Sequence, residues 1–126
     1  MTGLVTDPTA FPREFELALN AGDLERIVEL YAEDASLRTQ SNEIQSGAAA
    51  VRAEMQQLIA AKANITNTLR HTLRHGETAL IIVDYVLRLT APDGAPVVLN
   101  GTATNVIQEH PAKGWRMIVA NPQGAS

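Results

Sequence analysis

Residues 64–90 read NITNTLRHTLRHGETALIIVDYVLRLT, and this stretch predicts two long antiparallel strands joined by a tight turn. Apolar and polar side chains alternate from Asn64 to His75, which is typical of a half-buried strand. Gly76-Glu77 supplies the turn. Both faces of the second strand, Thr78 to Thr90, are largely apolar, so we expect it inside the sheet or at a subunit contact. The apolar side of the first strand would carry Ile65, Leu69 and Leu73.

Two further strands follow this hairpin. Pro92-Asp93-Gly94 is a strong turn signal, and the next extended segment runs from Val97 to Gln108. A polar loop at His110–Gly114 separates it from a last strand at Trp115–Ala120. The second half of the chain therefore predicts a four-strand meander.

Upstream of residue 62 the apolar period is that of a helix. Thr9 is expected to cap a first helix, which Gly22 ends, and Asp23 would cap the second. A third helix would start at Ser46-Gly47. One face of the first helix would carry Phe11, Phe15, Ala18 and Leu19. One face of the second would carry Leu24, Ile27, Val28 and Tyr31, and one face of the third Val51, Met55, Leu58 and Ile59.

Only a short extended segment, Ala35–Thr39, and a polar loop, Gln40–Gln45, are expected between the second and third helices. Helices followed by a meander predict an α+β domain, with the helices packed on one face of the sheet. At 126 residues the chain suits a single domain spanning residues 1–126.

Composition excludes several classes of function. Ten basic against 14 acidic residues give a net charge of −4, which argues against nucleic-acid and anionic-membrane partners. The absence of cysteine excludes disulfides, thiolate metal sites and cysteine nucleophiles. Met1–Asp7 lacks the basic and apolar residues of a signal peptide, and the apolar run Ala79–Val83 is too short to span a bilayer. We therefore expect a cytoplasmic protein.

Two histidines, His71 and His75, have the spacing that binds zinc on a helix. On a strand that rises about 3.3 Å per residue they would lie roughly 13 Å apart, too far to share one ion. No metal site and no cofactor are predicted.

His71 and Asp84 form the one constellation with possible acid–base chemistry. A two-residue turn at Gly76-Glu77 would pair Leu69 with Asp84 and His71 with Ile82, so that the two polar groups become diagonal neighbours on one apolar face. A carboxylate beside an imidazole favours its protonated form, as a general base requires. Two alternatives stay open: a structural cross-strand ion pair, or a longer loop that separates the two groups.

Three segments carry a family resemblance. The run ALNAGDLERIVELYAEDA at residues 18–35 resembles the opening of the SnoaL-like and ketosteroid-isomerase-like proteins of the nuclear transport factor two-like superfamily. Ser46-Gly47, leading into Ala50-Val51-Arg52, resembles the start of their third helix. The ending from Gly114-Trp115-Arg116 to Ala120-Asn121-Pro122 is similar to one branch of that group.

The resemblance implies a cone: three helices on a strongly curved antiparallel sheet of four to five strands, which encloses a pocket. It also implies a homodimer through the outer sheet face and a small apolar ligand. Where the steroid isomerases carry a catalytic tyrosine and two acids, this chain has Phe15, Thr39 and Thr104, and Ala120 replaces an aspartate common in the branch. Isomerisation by that mechanism is therefore not expected. The resemblance does favour the two-residue turn, which would direct His71 and Asp84 inward.

Three functions stay open at this point. In an isomerase, cyclase or hydrolase, His71 would transfer a proton and Asp84 would orient it. In a binding or accessory module the same pocket would hold a ligand without chemistry, and a structural dimer would have a filled core. The expected binding residues are hydrogen-bonding Thr39, Asn67 and Thr104 and wall-forming Phe15, Tyr31 and Met55.

Overall fold

The computed structural model describes residues 3–126, in which helices pack on one face of a six-stranded curved sheet. Met1 and Thr2, part of the segment considered above as a signal peptide, lie outside the described residues. The helical elements are a 3-10 turn at Pro8–Ala10, α1 at Phe11–Asn20, α2 at Leu24–Glu29 and α3 at Ala48–Ala60. The strands are β1 at Tyr31–Arg38, β2 at Ile44–Ser46, β3 at Asn64–His75, β4 at Thr78–Thr90, β5 at Pro96–His110 and β6 at Gly114–Ala120.

The sheet has the strand order β2-β1-β6-β5-β4-β3. Strands β3 to β6 form the predicted antiparallel meander, and β4 lies inside the sheet as expected. β1 adds to β6 in parallel, and β2 pairs antiparallel with β1 at the edge. The α+β prediction is confirmed, with one strand more than expected. β2 was missed because its three exposed residues lie in a segment whose polar composition predicts a loop.

Local signals set the helix boundaries. Gly22 ends α1 in the left-handed region, at φ 67°, and Asp23 Oδ1 accepts a hydrogen bond from the backbone N–H of Arg26 at 3.1 Å. The start of α1 differs from the prediction. Thr9 lies within the 3-10 turn, which Asp7 caps by accepting from the Thr9 backbone N–H, and α1 begins at Phe11.

The prediction that Tyr31 lies on the second helix is wrong. α2 ends at Glu29, and Tyr31 is the first residue of β1, where it pairs with Met117 of β6. Backbone pairing explains the change, because the N–H of Met117 donates to the carbonyl of Leu30 at 2.7 Å and starts the parallel ladder there. The tyrosine side chain is nonetheless buried in the core.

A β-bulge at Arg70 divides β3 into two halves. Odd-numbered residues face the helices before the bulge and face away from them after it. His75 pairs with Thr78, so Gly76-Glu77 forms the predicted two-residue turn, and His71 pairs with Ile82 as predicted. Beyond the bulge the register shifts by one, and Leu69 pairs with Val83 rather than Asp84. Ile65 and Leu69 therefore face the helices, whereas Leu73 faces away from them and is 55% exposed.

The core lies between the helices and the inner face of the sheet. No helix within residues 3–126 combines the length and apolar character needed to cross a bilayer. The largest fully buried side chains are those of Phe11, Leu19, Ile27, Leu30, Val51, Ile81, Ile107 and Trp115.

Candidate functional site

A cavity of about 100 Å³ remains between α1, α3 and the inner face of the sheet. Its wall is mostly apolar, and it receives side chains from both helices and from every strand except β2. The space exceeds that of a few water molecules, each of which needs roughly 10–15 Å³ by such a measure. The wall includes Phe15, Tyr31, Met55, Val83, Ala103 and Met117.

The structure does not direct His71 and Asp84 into this cavity. Ile81 and Val83 of β4 are buried on the inner face, so by alternation Ile82 and Asp84 face outward, and His71 follows its partner Ile82. The expected inward orientation is wrong because the bulge reverses the phase of β3 between Leu69 and His71.

Asp84 instead makes polar contacts on the outer surface. The hydroxyl of Thr102 donates to Asp84 Oδ1 at 2.7 Å, and Arg70 Nε lies 3.6 Å from Oδ2. The carboxylate side chain is 46% exposed. This arrangement is the structural cross-strand ion pair left open above, with Arg70 in place of His71. Among residues 3–126 no group of three or more His, Cys, Asp and Glu side chains is arranged to hold a metal ion.

Four of the six expected binding residues, Phe15, Tyr31, Met55 and Asn67, line the cavity, and their binding roles stay predictions. Asn67 also ties β3 to α1, since its Nδ2 donates to the Pro12 carbonyl at 3.0 Å.

The other two, Thr39 and Thr104, do not line the cavity. The Thr39 hydroxyl accepts from the Glu43 backbone N–H at 3.1 Å within the β1–β2 turn. Thr104 pairs with outward-facing Ile82, and its hydroxyl accepts from Asn121 Nδ2 at 2.9 Å. Its neighbours on β5, Ala103 and Asn105, line the cavity instead.

Tyr31 is the more deeply buried of the two tyrosines in the cavity wall. Its residue is 5% exposed, and its ring meets Phe15 edge-on with 6.4 Å between ring centres. Within residues 3–126 its hydroxyl makes no hydrogen bond. Burial, and secondly the negative charge of Glu54, raise the pKa of Tyr31, so the group stays protonated at neutral pH and is available as a donor.

Glu54 is a cavity residue that the sequence analysis missed. Its Oε2 accepts from the backbone N–H of Gln40 at 2.7 Å, and Oε1 accepts no hydrogen bond from residues 3–126. A signal was present in the sequence, because position 54 lies three residues after Val51 and four before Leu58, on the apolar face of α3. An acidic residue on a face that is otherwise apolar indicates a role in binding or chemistry within the cavity.

The chain from Asn121 to Ser126, called here the C-terminal strap, closes one side of the cavity through Pro122. The Tyr85 hydroxyl donates to the Pro122 carbonyl at 2.8 Å. Arg38 donates hydrogen bonds to Asn121 Oδ1 at 3.3 Å, to the Gly124 carbonyl at 3.2 Å and to the Ser126 carbonyl. Gln123 Nε2 donates to the carbonyl of Thr39, directly after β1, at 3.0 Å. The Arg38 guanidinium thus joins β1 to three residues of the strap.

Replacing Arg38 with methionine is expected to loosen the strap, most of all at Gly124 and Ser126, while the Tyr85 hydroxyl still holds Pro122. The variant keeps an unbranched side chain but removes the charged hydrogen bonds, so the free energy of unfolding should fall by roughly 1–3 kcal/mol. Hydrogen exchange of residues 121–126, read by mass spectrometry, should accelerate in Arg38→Met. The matched control is Arg88→Met, which removes an exposed arginine of β4. Equal exchange in both variants would contradict the anchoring role of Arg38.

A family model described as a SnoaL-like domain matches residues 13–110. The chain belongs to the SnoaL-like domain family. This confirms the resemblance inferred from residues 18–35 and 46–52, whereas the similar ending at residues 114–122 lies outside the matched region. No curated protein matches the sequence.

Solved structures share the fold of this SnoaL-like domain over nearly their whole length. A protein from Thiobacillus denitrificans, provisionally named a calcium/calmodulin-dependent protein kinase type II association domain, is 24% identical with a TM-score of 0.78, covering 99% of this chain and 100% of its own. A ketosteroid isomerase-like protein from Erwinia carotovora is 11% identical with a TM-score of 0.80, covering 94% of this chain and 93% of its own.

A third structure, from Streptomyces avermitilis, is provisionally named a dehydratase of the NTF2-like family. It is 21% identical with a TM-score of 0.77, and the match covers 91% of this chain and 92% of that one. The TM-scores establish the common cone-shaped fold. Sequence identities this low do not establish a common activity, so the activity is argued from the cavity.

Proposed function

We propose that this SnoaL-like domain binds a small, mainly apolar molecule in the cavity, with one polar group of the ligand against Tyr31. The observation that carries the proposal is the Tyr31 side chain, which lines the cavity from a residue only 5% exposed and whose hydroxyl makes no hydrogen bond within residues 3–126. A hydrogen bond from this hydroxyl to a ligand contributes about 0.5–1.5 kcal/mol net. Burial of apolar ligand surface against the cavity walls supplies the rest of the affinity.

The size of the cavity limits the ligand. About 100 Å³ of space, open on one side, is lined by side chains such as Phe15, Met55 and Met117. In another protein, a dry apolar cavity of roughly 150 Å³ binds benzene. The space here is smaller than that cavity but partly open, so we expect a small ligand of about the size of one six-membered ring, with room made by side-chain adjustment or at the open side.

The test is a titration of the isotopically labelled protein with benzene and phenol, followed by amide chemical shifts. We expect saturable changes in amide chemical shift at cavity residues such as Phe15, Ala103 and Met117. The spectrum should keep the chemical-shift dispersion of a folded protein at every ligand concentration. Native mass spectrometry of freshly purified protein is a second readout, in which a retained small molecule supports the proposal. An absence of saturable shifts with both probes would refute ligand binding in the cavity.

Catalysis is the second candidate, favoured by a carboxylate and a neutral phenol that face the same cavity. Glu54 would accept a proton from the ligand, and Tyr31 would donate a hydrogen bond to an oxygen that gains negative charge. Isomerase, cyclase and hydrolase reactions all use these two roles. Turnover of a co-purified compound that is lost in Glu54→Gln, with binding retained, would select the enzyme over the binding module.

We also propose a homodimer formed through the outer sheet face. Apolar side chains are exposed there on three strands: Leu73 of β3 and Val98 of β5 at 55%, and Val119 of β6 at 38%. A second copy of the same face would cover them.

Light scattering should give twice the chain mass for the native protein and the mass of a single chain for the double variant Leu73→Lys with Val98→Lys. The control Leu17→Lys places the same charge on exposed α1, and a monomeric native protein would contradict the proposal.

A further inference from the structure

We propose that Tyr31 and Glu54 together make the cavity selective for a neutral hydroxyl compound over a carboxylate. This inference rests on the proposed ligand binding and names the chemical class that the site accepts. Both side chains line one cavity, Tyr31 from the start of β1 and Glu54 from the second turn of α3. Each offers one hydrogen-bonding function that residues 3–126 leave unused.

The unused functions are of opposite kind. The Tyr31 hydroxyl is a donor without an acceptor, and Glu54 Oε1 is an acceptor without a donor, since Gln40 occupies only Oε2. A ligand hydroxyl accepts from one group and donates to the other at the same time. A carbonyl or ether oxygen can accept only from Tyr31, and an ammonium, which has no acceptor, leaves the Tyr31 donor unused.

The charge of the cavity explains the rejection of carboxylates. Among the described residues that line it, the charged ones are Glu54 and Arg38. The Arg38 N–H groups already donate to Asn42 Oδ1 and to the C-terminal strap, so these donors are not free to bind a ligand carboxylate. An anionic ligand beside Glu54 would lose its hydration and gain like-charge repulsion in apolar surroundings.

The experiment compares benzene, phenol and benzoate, which share one ring, in the titration described above at pH 7. Phenol should bind about tenfold more tightly than benzene, as one or two net hydrogen bonds predict. Benzoate should bind at least tenfold more weakly than phenol. Tyr31→Phe should reduce the affinity for phenol towards that for benzene, without changing the affinity for benzene.

Glu54→Gln tests the effect of the negative charge alone. The glutamine has nearly the same shape, and its amide oxygen can still accept from the Gln40 backbone N–H, but it carries no charge. Its affinity for benzoate should rise about tenfold or more, whereas Glu33→Gln, which removes an exposed acid outside the cavity, should leave it unchanged. Equal affinities of the native protein for phenol and benzene, or no gain for benzoate in Glu54→Gln, would overturn the selectivity while ligand binding stands. If none of the three probes binds, the proposed function and this inference both fail.

Discussion

Replacing Ala103 with leucine is expected to abolish ligand binding while the protein stays folded. Ala103 lies on the inner face of β5, is 5% exposed and contributes its methyl group to the cavity wall. Leucine adds three carbon atoms to a space of about 100 Å³, so little room is left for a ring. The affinity for benzene and phenol should fall by more than about thirtyfold, a loss of roughly 2 kcal/mol.

The same substitution tests whether the space is an open cavity. The added leucine atoms would bury apolar surface in the cavity, and this gain would offset the strain of packing a larger side chain. The free energy of unfolding should therefore change by less than about 2 kcal/mol. The matched control is Gln108→Leu, which adds the same side chain to an exposed position on β5 and should leave binding unchanged. Retained affinity in Ala103→Leu would place the ligand elsewhere.

Replacing Trp115 with alanine is expected to cause the largest loss of stability, about 3–5 kcal/mol. The Trp115 side chain is 1% exposed and is among the largest fully buried side chains. It lies at the start of β6, where its backbone N–H donates to the Val5 carbonyl at 2.8 Å. The Arg74 guanidinium covers the ring at 5.0 Å from its centre. Urea unfolding followed by circular dichroism measures the effect, since this is the one tryptophan available for fluorescence.

Trp115→Phe is the informative companion. The indole Nε1–H is buried and has no hydrogen-bond partner among residues 3–126, so the native side chain carries an unpaired donor that phenylalanine lacks. The phenylalanine variant should therefore lose only about 1–2 kcal/mol, because the removed volume is partly offset by removal of that donor. If both variants lost the same free energy, the ring would not be the source of the stability.

Most of the secondary structure could be predicted because its causes are local. Gly22 and Asp23 separate α1 from α2 through backbone conformation and one side-chain hydrogen bond, both readable from neighbouring residues. The two-residue turn at Gly76-Glu77 was predicted for the same reason. The buried face of α3 follows from its apolar spacing, and that spacing also contained the signal for Glu54.

The inward orientation predicted for His71 and Asp84 was wrong because it depended on strand alternation continuing unbroken over many residues. Alternation shows that consecutive residues of a strand face opposite sides, but it does not show where an inserted residue reverses the phase. Arg70 is such a residue, and it directs His71 outward although Ile65 and Leu69 face inward. The neighbouring strand then places Asp84 on the outer face as well.

By itself, the sequence determined the α+β class, the helices, the meander and the family, since these depend on periodicity, turn residues and short-range capping. Tertiary structure alone decided how Tyr31 and the C-terminal strap are placed at the cavity and that His71 and Asp84 face away from it. The parallel ladder with β6 places Tyr31 at the start of β1, and hydrogen bonds from Tyr85 and Arg38 hold residues 121–126 so that Pro122 lies against the cavity. These arrangements arise from hydrogen bonds between segments as much as 88 residues apart, so no local pattern of side chains encodes them.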